Sequence, residues 1–174
     1  MIPAYRDLLA LASLMLTYPD DALCEARADV AAGLARLPSS RPARLLSGFA
    51  AWWVSADPAD LRLDYVDSFD HHRQSALYVT YTEHGDDRTR GQALFELRRL
   101  YRDAGFEPTP DELPDFLPIV CQFVALAPSR AGREALAMAA PCVKSVSQVL
   151  AGRGSNYQAV LAAIGCIIEK GGRA

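Results

Sequence analysis

Apolar residues recur at intervals of three and four from residue 8 to residue 168, and nowhere does the chain alternate apolar and polar residues over a strand's length. A stripe that repeats about every 3.6 residues can be buried only along one side of a helix, so the fold is restricted to helices packed on helices. The first stripe, Leu8, Leu11, Ala12, Met15 and Leu16, stops at Tyr18-Pro19, because the residue before a proline is pushed out of the helical region. Asp20 or Asp21 is placed to cap a second helix whose inward side is Leu23, Ala26, Val30, Leu34 and Leu37. The serine- and proline-rich stretch 38–42 reads as a loop, and a third helix then turns Leu45, Leu46, Phe49, Trp52 and Trp53 inward.

Asp57-Pro58 has the pattern of an N-cap followed by proline at the first helical position. The helix it opens carries Leu61, Tyr65, Phe69 and His72 on one side. A polar corner at 83–87 contains Gly85 as a break, and the next helix, about 89–104, turns Leu94, Leu97, Leu100 and Tyr101 inward before Gly105 caps it. The turn-rich stretch 108–114 is short enough for a helix–helix connection. Pro114 and Pro118 both suit the first turn of the helix that follows, with Leu117, Val120, Phe123, Val124 and Ala127 facing the core. Pro141 is expected to interrupt the next helical stretch, and Ser155 or Asn156 to cap a last helix carrying Tyr157, Val160, Leu161, Ile164, Ile167 and Ile168. The expected architecture is all-α: a compact bundle of some eight to nine short helices forming a single domain over residues 1–174.

Composition narrows the function classes. The net charge is −3, with lysine and arginine interleaved among acids, whereas a nucleic-acid binder needs a basic stripe or face. Nothing at the start resembles a signal peptide, and the apolar runs 8–16 and 159–168 are too short to span a bilayer. Cys24, Cys121, Cys142 and Cys166 are far apart and each falls in an apolar helical pattern, which points to reduced, buried thiols in a cytoplasmic protein.

Catalytic chemistry finds little to stand on. Asp70-His71-His72 spells a short motif of metal-dependent phosphoesterases, but neighbours on a helix diverge by about 100° and cannot converge on one ion. No nucleophile elbow or glycine-rich phosphate loop is present, and Asp86-Asp87 and the Glu112/Asp115 pair sit near helix starts, where acids offset the helix dipole. The expectation is a protein that is not an enzyme and carries no cofactor or metal. The segment 65–126 is different, because it crowds aromatic and charged side chains beyond what helix packing needs. Tyr65, Phe69, Leu77, Tyr78 and Tyr81 could floor an apolar groove for an amphipathic peptide, or could simply be core. Arg73, Arg88 and Arg90, near Asp67, Asp70 and Asp86, could rim that groove or hold the corner closed.

An ordered series of residues within this segment resembles the NarJ-type assembly chaperones of respiratory nitrate reductase, within the wider TorD-like group. The series runs Tyr65-x-x-x-Phe69-Asp70-x-x-Arg73, then 75–81, then His84-Gly85-Asp86-x-Arg88-x-Arg90-Gly91-Gln92-Ala93. It continues through Tyr101-x-x-x-Gly105 to Glu112-Leu113-Pro114-Asp115-x-Leu117-Pro118, with weaker similarity at Leu16-x-Tyr18-Pro19 and Ser155-x-Tyr157. The resemblance implies a cytoplasmic, non-enzymatic chaperone that binds the N-terminal segment of the catalytic α subunit. It implies that the subunit is held for insertion of the molybdenum cofactor and an iron–sulfur cluster before membrane docking, with no nucleic acid and no direct membrane insertion involved. The residues expected to meet the peptide are Tyr65, Phe69, Arg73, Leu77, Tyr78, Tyr81, His84, Asp86, Arg90, Glu112 and Asp115. Acidic residues, Asp67, Asp70, Asp86, Glu112 and Asp115, would attract a basic leader. The oligomeric state stays open between monomer and homodimer, with 108–114 as the connection where helices could be exchanged. A different client, or a metal-dependent phosphohydrolase, are the rival readings.

Overall fold

A computed structural model describes residues 3–85, 87–107, 112–127 and 129–171. The described chain is built of α1 (Pro3–Met15), α2 (Asp21–Ala35), α3 (Arg41–Ser55), α4 (Pro58–Phe69), a 3₁₀ turn (Arg73–Ser75), α5 (Tyr81–His84), α6 (Thr89–Asp103), α7 (Leu117–Leu126), α8 (Ser129–Arg153) and α9 (Gln158–Gly171). Helices α8 and α9 pack along each other; α7 flanks α8 and carries α1, while α3 leans on α9 and α2 on α3. The all-helical expectation stands, although α8, at 25 residues, is not short.

The helix ends follow their cap residues. Asp20 Oδ1 accepts the Leu23 amide at 2.8 Å, Ser40 Oγ accepts Ala43 at 3.3 Å, and Asp57 Oδ1 accepts Ala59 at 2.8 Å. Gly105, at φ 82°, lets the chain turn back so that the Phe106 amide reaches the Tyr101 carbonyl at 2.9 Å.

Four expectations about helix ends and prolines need correction. Pro42 lies in the first turn of α3 rather than in the loop, a position where its missing amide proton has no intrahelical acceptor anyway. His72 falls beyond the end of α4 and is exposed, so the inward side of that helix ends at Phe69. Pro114 precedes α7 instead of opening it, and its carbonyl accepts the Tyr101 hydroxyl at 2.8 Å. Pro141 does not interrupt α8. It removes one backbone donor, but Ala139, Cys142, Val143 and Val146 on either side are buried, and α7 and α9 pack along the helix. Separately, and correcting no expectation, Arg130–Arg153, which lies outside the two short apolar runs, is by length and composition long and apolar enough to cross a bilayer. Its apolar side, with Ala135, Leu136, Ala139, Val146 and Leu150, is buried against its neighbours, as in a core helix.

The largest departure from helical periodicity is the stretch 76–80. It starts extended, with Tyr78 in an isolated antiparallel bridge opposite Phe116, and closes in a turn in which Thr80 has helical dihedrals. The Leu77 carbonyl accepts the Leu117 amide at 2.7 Å, and the Val79 amide donates to the Asp115 carbonyl at 2.8 Å. Its partner lies more than thirty residues away, which no local pattern can announce.

Arg27 is buried on α2, an unusual place for a guanidinium. Its Nη1 donates to the carbonyls of Trp53 at 2.6 Å and Ala56 at 2.9 Å, and its Nε to Cys24 at 3.0 Å. A fixed cation thereby closes the C-terminal end of α3, where carbonyls lack intrahelical donors and the helix dipole is negative. Arg27→Met keeps the apolar stem and removes these bonds. It is expected to lower the unfolding free energy by about 2–3 kcal/mol in urea titration, and an unchanged midpoint would show that the cap does not contribute.

The cysteines are all free, but only Cys121 and Cys142 are fully buried; Cys24 and Cys166 are partly accessible, less sealed than their helical pattern suggests. Burial pushes the Cys121 thiol up to about 12. Cys142 is pushed up to about 11 by burial, partly offset by a hydrogen bond with Thr82.

Candidate functional site

The extended stretch creates a cleft. The bridge holds Leu77, Tyr78 and Phe116 across from the end of α4 and the turn after α1. Between them opens a hollow of about 370 Å³ lined by Thr17, Tyr18, Tyr65, Phe69, Asp70, Leu77, Tyr78, Glu112 and Phe116. That volume is at the lower end of what ligand sites offer.

One wall is the edge of the aromatic core. Tyr65 and Phe69 lie one helical turn apart on α4 with ring centroids 5.0 Å apart, and Tyr157, in the turn that leads into α9 and not in the helix itself, packs behind them, 5.0 Å from Phe69 and 5.8 Å from Tyr65. Each of the two α4 rings is only 4 % exposed, so each offers little of its surface to the cleft. The Tyr65 hydroxyl is held by the Leu16 carbonyl at 3.0 Å, and burial raises its pKa well above the usual phenol value. Tyr18, 44 % exposed, stands edge-on to Tyr65 at 5.5 Å and forms the lip.

The opposite wall is the Tyr78–Phe116 ring pair, 5.5 Å between centroids. The Tyr78 hydroxyl donates to Glu112 Oε1 at 3.1 Å, and the Leu113 amide donates to the same oxygen at 2.8 Å. Burial first, and the Glu112 charge second, push the Tyr78 phenol up to about 12, so it remains a neutral donor. Asp70, the exposed C-cap residue of α4, sets a second carboxylate at the rim.

Behind this wall is a polar latch. Asp115 is fully buried, and its Oδ2 accepts the Thr80 hydroxyl at 2.5 Å and the Thr80 amide at 3.2 Å, with Arg90 Nη2 at 3.5 Å. The Arg90 guanidinium lies over the rings of Tyr81 at 5.3 Å and Tyr78 at 5.9 Å, and its Nε donates to Thr80 Oγ1 at 3.2 Å. Arg90 thus ties the start of α6 to the stretch that carries the cleft wall.

The structure therefore separates residues that sequence reasoning grouped. Tyr65, Phe69, Leu77, Tyr78 and Glu112 meet in the cleft. Tyr81, Arg90 and Asp115 do not line it; they form the latch, and Asp115 in particular is sealed from solvent and cannot steer an approaching peptide. Arg73 sits exposed on the 3₁₀ turn. The side chain of His84, and Asp86 altogether, lie outside the described residues. Asp67, expected among the arginines of the central segment, instead pairs with Arg153 of α8 at 2.7 Å. Sequence reasoning missed Thr17, Tyr18 and Phe116. The signal for Phe116 is its place just outside the buried stripe of α7: an aromatic residue off the stripe has another use. A second groove, of about 410 Å³ between α8 and α9, has mixed aliphatic and polar lining without aromatic rings.

An all-helical bundle of this kind is the fold of a candidate redox enzyme maturation protein from Archaeoglobus fulgidus. The two superpose with a TM-score of 0.71 over 94% of this chain and 93% of that one, at 20% sequence identity. The chain belongs to the nitrate reductase delta subunit family, whose model matches residues 28–163. It is 32% identical to an inferred nitrate reductase molybdenum cofactor assembly chaperone NarJ of Bacillus subtilis (strain 168), over 86% of this chain and 81% of that protein. It is also 32% identical to the nitrate reductase molybdenum cofactor assembly chaperone NarJ of Escherichia coli (strain K12), again over 86% of this chain but only 64% of the relative. A third match, 34% identical over 72% of this chain, takes up 19% of the nitrate reductase-like protein NarX of Mycobacterium tuberculosis.

Proposed function

We propose that the protein is a chaperone dedicated to the assembly of a respiratory nitrate reductase, acting as a single domain in the cytoplasm and not as an enzyme. In this reading the cleft receives the N-terminal segment of the catalytic α subunit and holds that subunit until its molybdenum cofactor is in place, before the enzyme docks at the membrane. The chaperone itself carries no cofactor, and works as a monomer or homodimer. The observation that carries the proposal is the coincidence of two things: family membership, and a cleft whose walls come from Tyr65, Phe69, Leu77, Tyr78 and Glu112. The match to a small part of a much longer relative supports an autonomous unit.

The energetics suit a reversible grip. An amphipathic segment that buries on the order of 400 Å² of apolar surface gains about 10 kcal/mol gross. Ordering the segment and losing its free motion offset much of that, which leaves affinity in the micromolar to nanomolar range.

The test is calorimetric titration of the protein with a peptide of the first fifteen or so residues of the α subunit. Saturable binding is expected, weakened about tenfold or more by Tyr78→Ala, a half-buried position whose truncation leaves the core intact. A titration without heat, and without change in the amide spectrum, removes this function from the cleft.

A further inference from the structure

We propose that the cleft takes a cationic side chain, arginine or lysine, of the segment it binds, held between aromatic rings with its charge against Asp70 and Glu112. The proposal rests on the reading of the cleft as the client site, and names the chemistry that site selects.

Its basis is the lining. Five of the nine lining residues are aromatic (Tyr18, Tyr65, Phe69, Tyr78, Phe116), two are carboxylates, and none is basic. Aromatic rings on two opposing walls, with carboxylates at the rim and no basic group in the lining, form a box that attracts a cation through direct charge, and a ring that turns its face to the cation adds its quadrupole. The carboxylates are not used up. Glu112 takes two hydrogen bonds on Oε1, while its Oε2 and the Asp70 carboxylate have no hydrogen-bond partner among the described residues.

The alternative occupant is a purely aliphatic side chain. Seated there, it would cover Asp70 and Glu112 without giving them a partner, and desolvating an unpaired carboxylate is costly. An arginine or lysine avoids that cost. Its methylene stem lies along Leu77 and Phe69 while the head reaches the rim. Arginine fits better of the two, because its planar guanidinium stacks on rings and is less strongly hydrated than an ammonium. The basic side chain of the latch, Arg90, is held behind the Tyr78 wall by Asp115 and Thr80, and no basic side chain is among the described residues that line the box.

The experiment compares three small probes on the full chain by NMR titration at millimolar concentration: N-acetyl-arginine methylamide, its neutral isostere N-acetyl-citrulline methylamide, and N-acetyl-norleucine methylamide. The arginine probe is expected to shift the Tyr18 and Tyr78 ring signals and to bind about fivefold or more tightly than the citrulline probe. Glu112→Gln is expected to reduce the arginine probe's affinity about threefold and to narrow its lead over norleucine. Equal binding of arginine and citrulline, stronger binding of norleucine, or no response to any probe overturns the cation box. If the α-subunit peptide still binds in the cleft under those outcomes, the client reading survives alone. If the arginine probe binds and the peptide does not, the box stands and the client reading falls.

Discussion

Replacing Asp115 by alanine is expected to lower the unfolding free energy by about 3–5 kcal/mol, because it strips the partner from a largely buried arginine. Arg90 is 20% exposed in its side chain and Asp115 not at all, so water cannot replace the lost carboxylate cheaply. Two bonds from Thr80 go with it, and with them the anchor of the stretch that carries Leu77 and Tyr78. Urea titration followed by far-ultraviolet circular dichroism measures the loss. The same reasoning forbids treating Asp115 as a surface charge: a variant that stayed as stable as the parent, and changed only the salt dependence of peptide binding, would mean the carboxylate is in solvent after all.

Tyr157→Ala should cost a similar amount, about 3–5 kcal/mol, for a different reason. Its ring is 1% exposed and touches four others, with centroids 5.1 Å from Phe49, 5.9 Å from Trp52, 5.8 Å from Tyr65 and 5.0 Å from Phe69. Removing it leaves a void where rings of α3 and α4 meet the turn that leads into α9. Tyr157→Phe tells the ring from its hydroxyl. The hydroxyl is buried without a hydrogen-bond partner among the described residues, so deleting it should leave stability within about 0.5 kcal/mol of the parent, or raise it. A phenylalanine variant that loses well over about 1 kcal/mol would reveal a bond to that oxygen, such as one from an internal water.

Helix ends are legible in the sequence wherever a cap residue marks them. Asp20, Asp57-Pro58 and Gly105 each sit where local chemistry places them. The failures share a cause. Pro141 in α8 and the bridged stretch 76–80 are both decided by distant partners: α7 and α9 for the proline, Phe116 and Leu117 for the stretch. The cleft is legible to the same degree. Tyr65 and Phe69, one turn apart, announce an aromatic wall, but only the bridge shows that Phe116 faces Tyr78 and that Asp115 turns inward. Arg27 illustrates the limit from the other side. A lone arginine on an amphipathic helix looks like any solvated charge until the carbonyls of Trp53 and Ala56 arrive above it.

The length of α8 has a mechanical corollary. At 25 residues it rises about 37 Å, and the 3₁₀ turn, α5, α6, α7 and α9 all rest on it along the way. The elements that rest on it are expected to lose their support together if it melts, whereas α2 joins the bundle through α3 and α1.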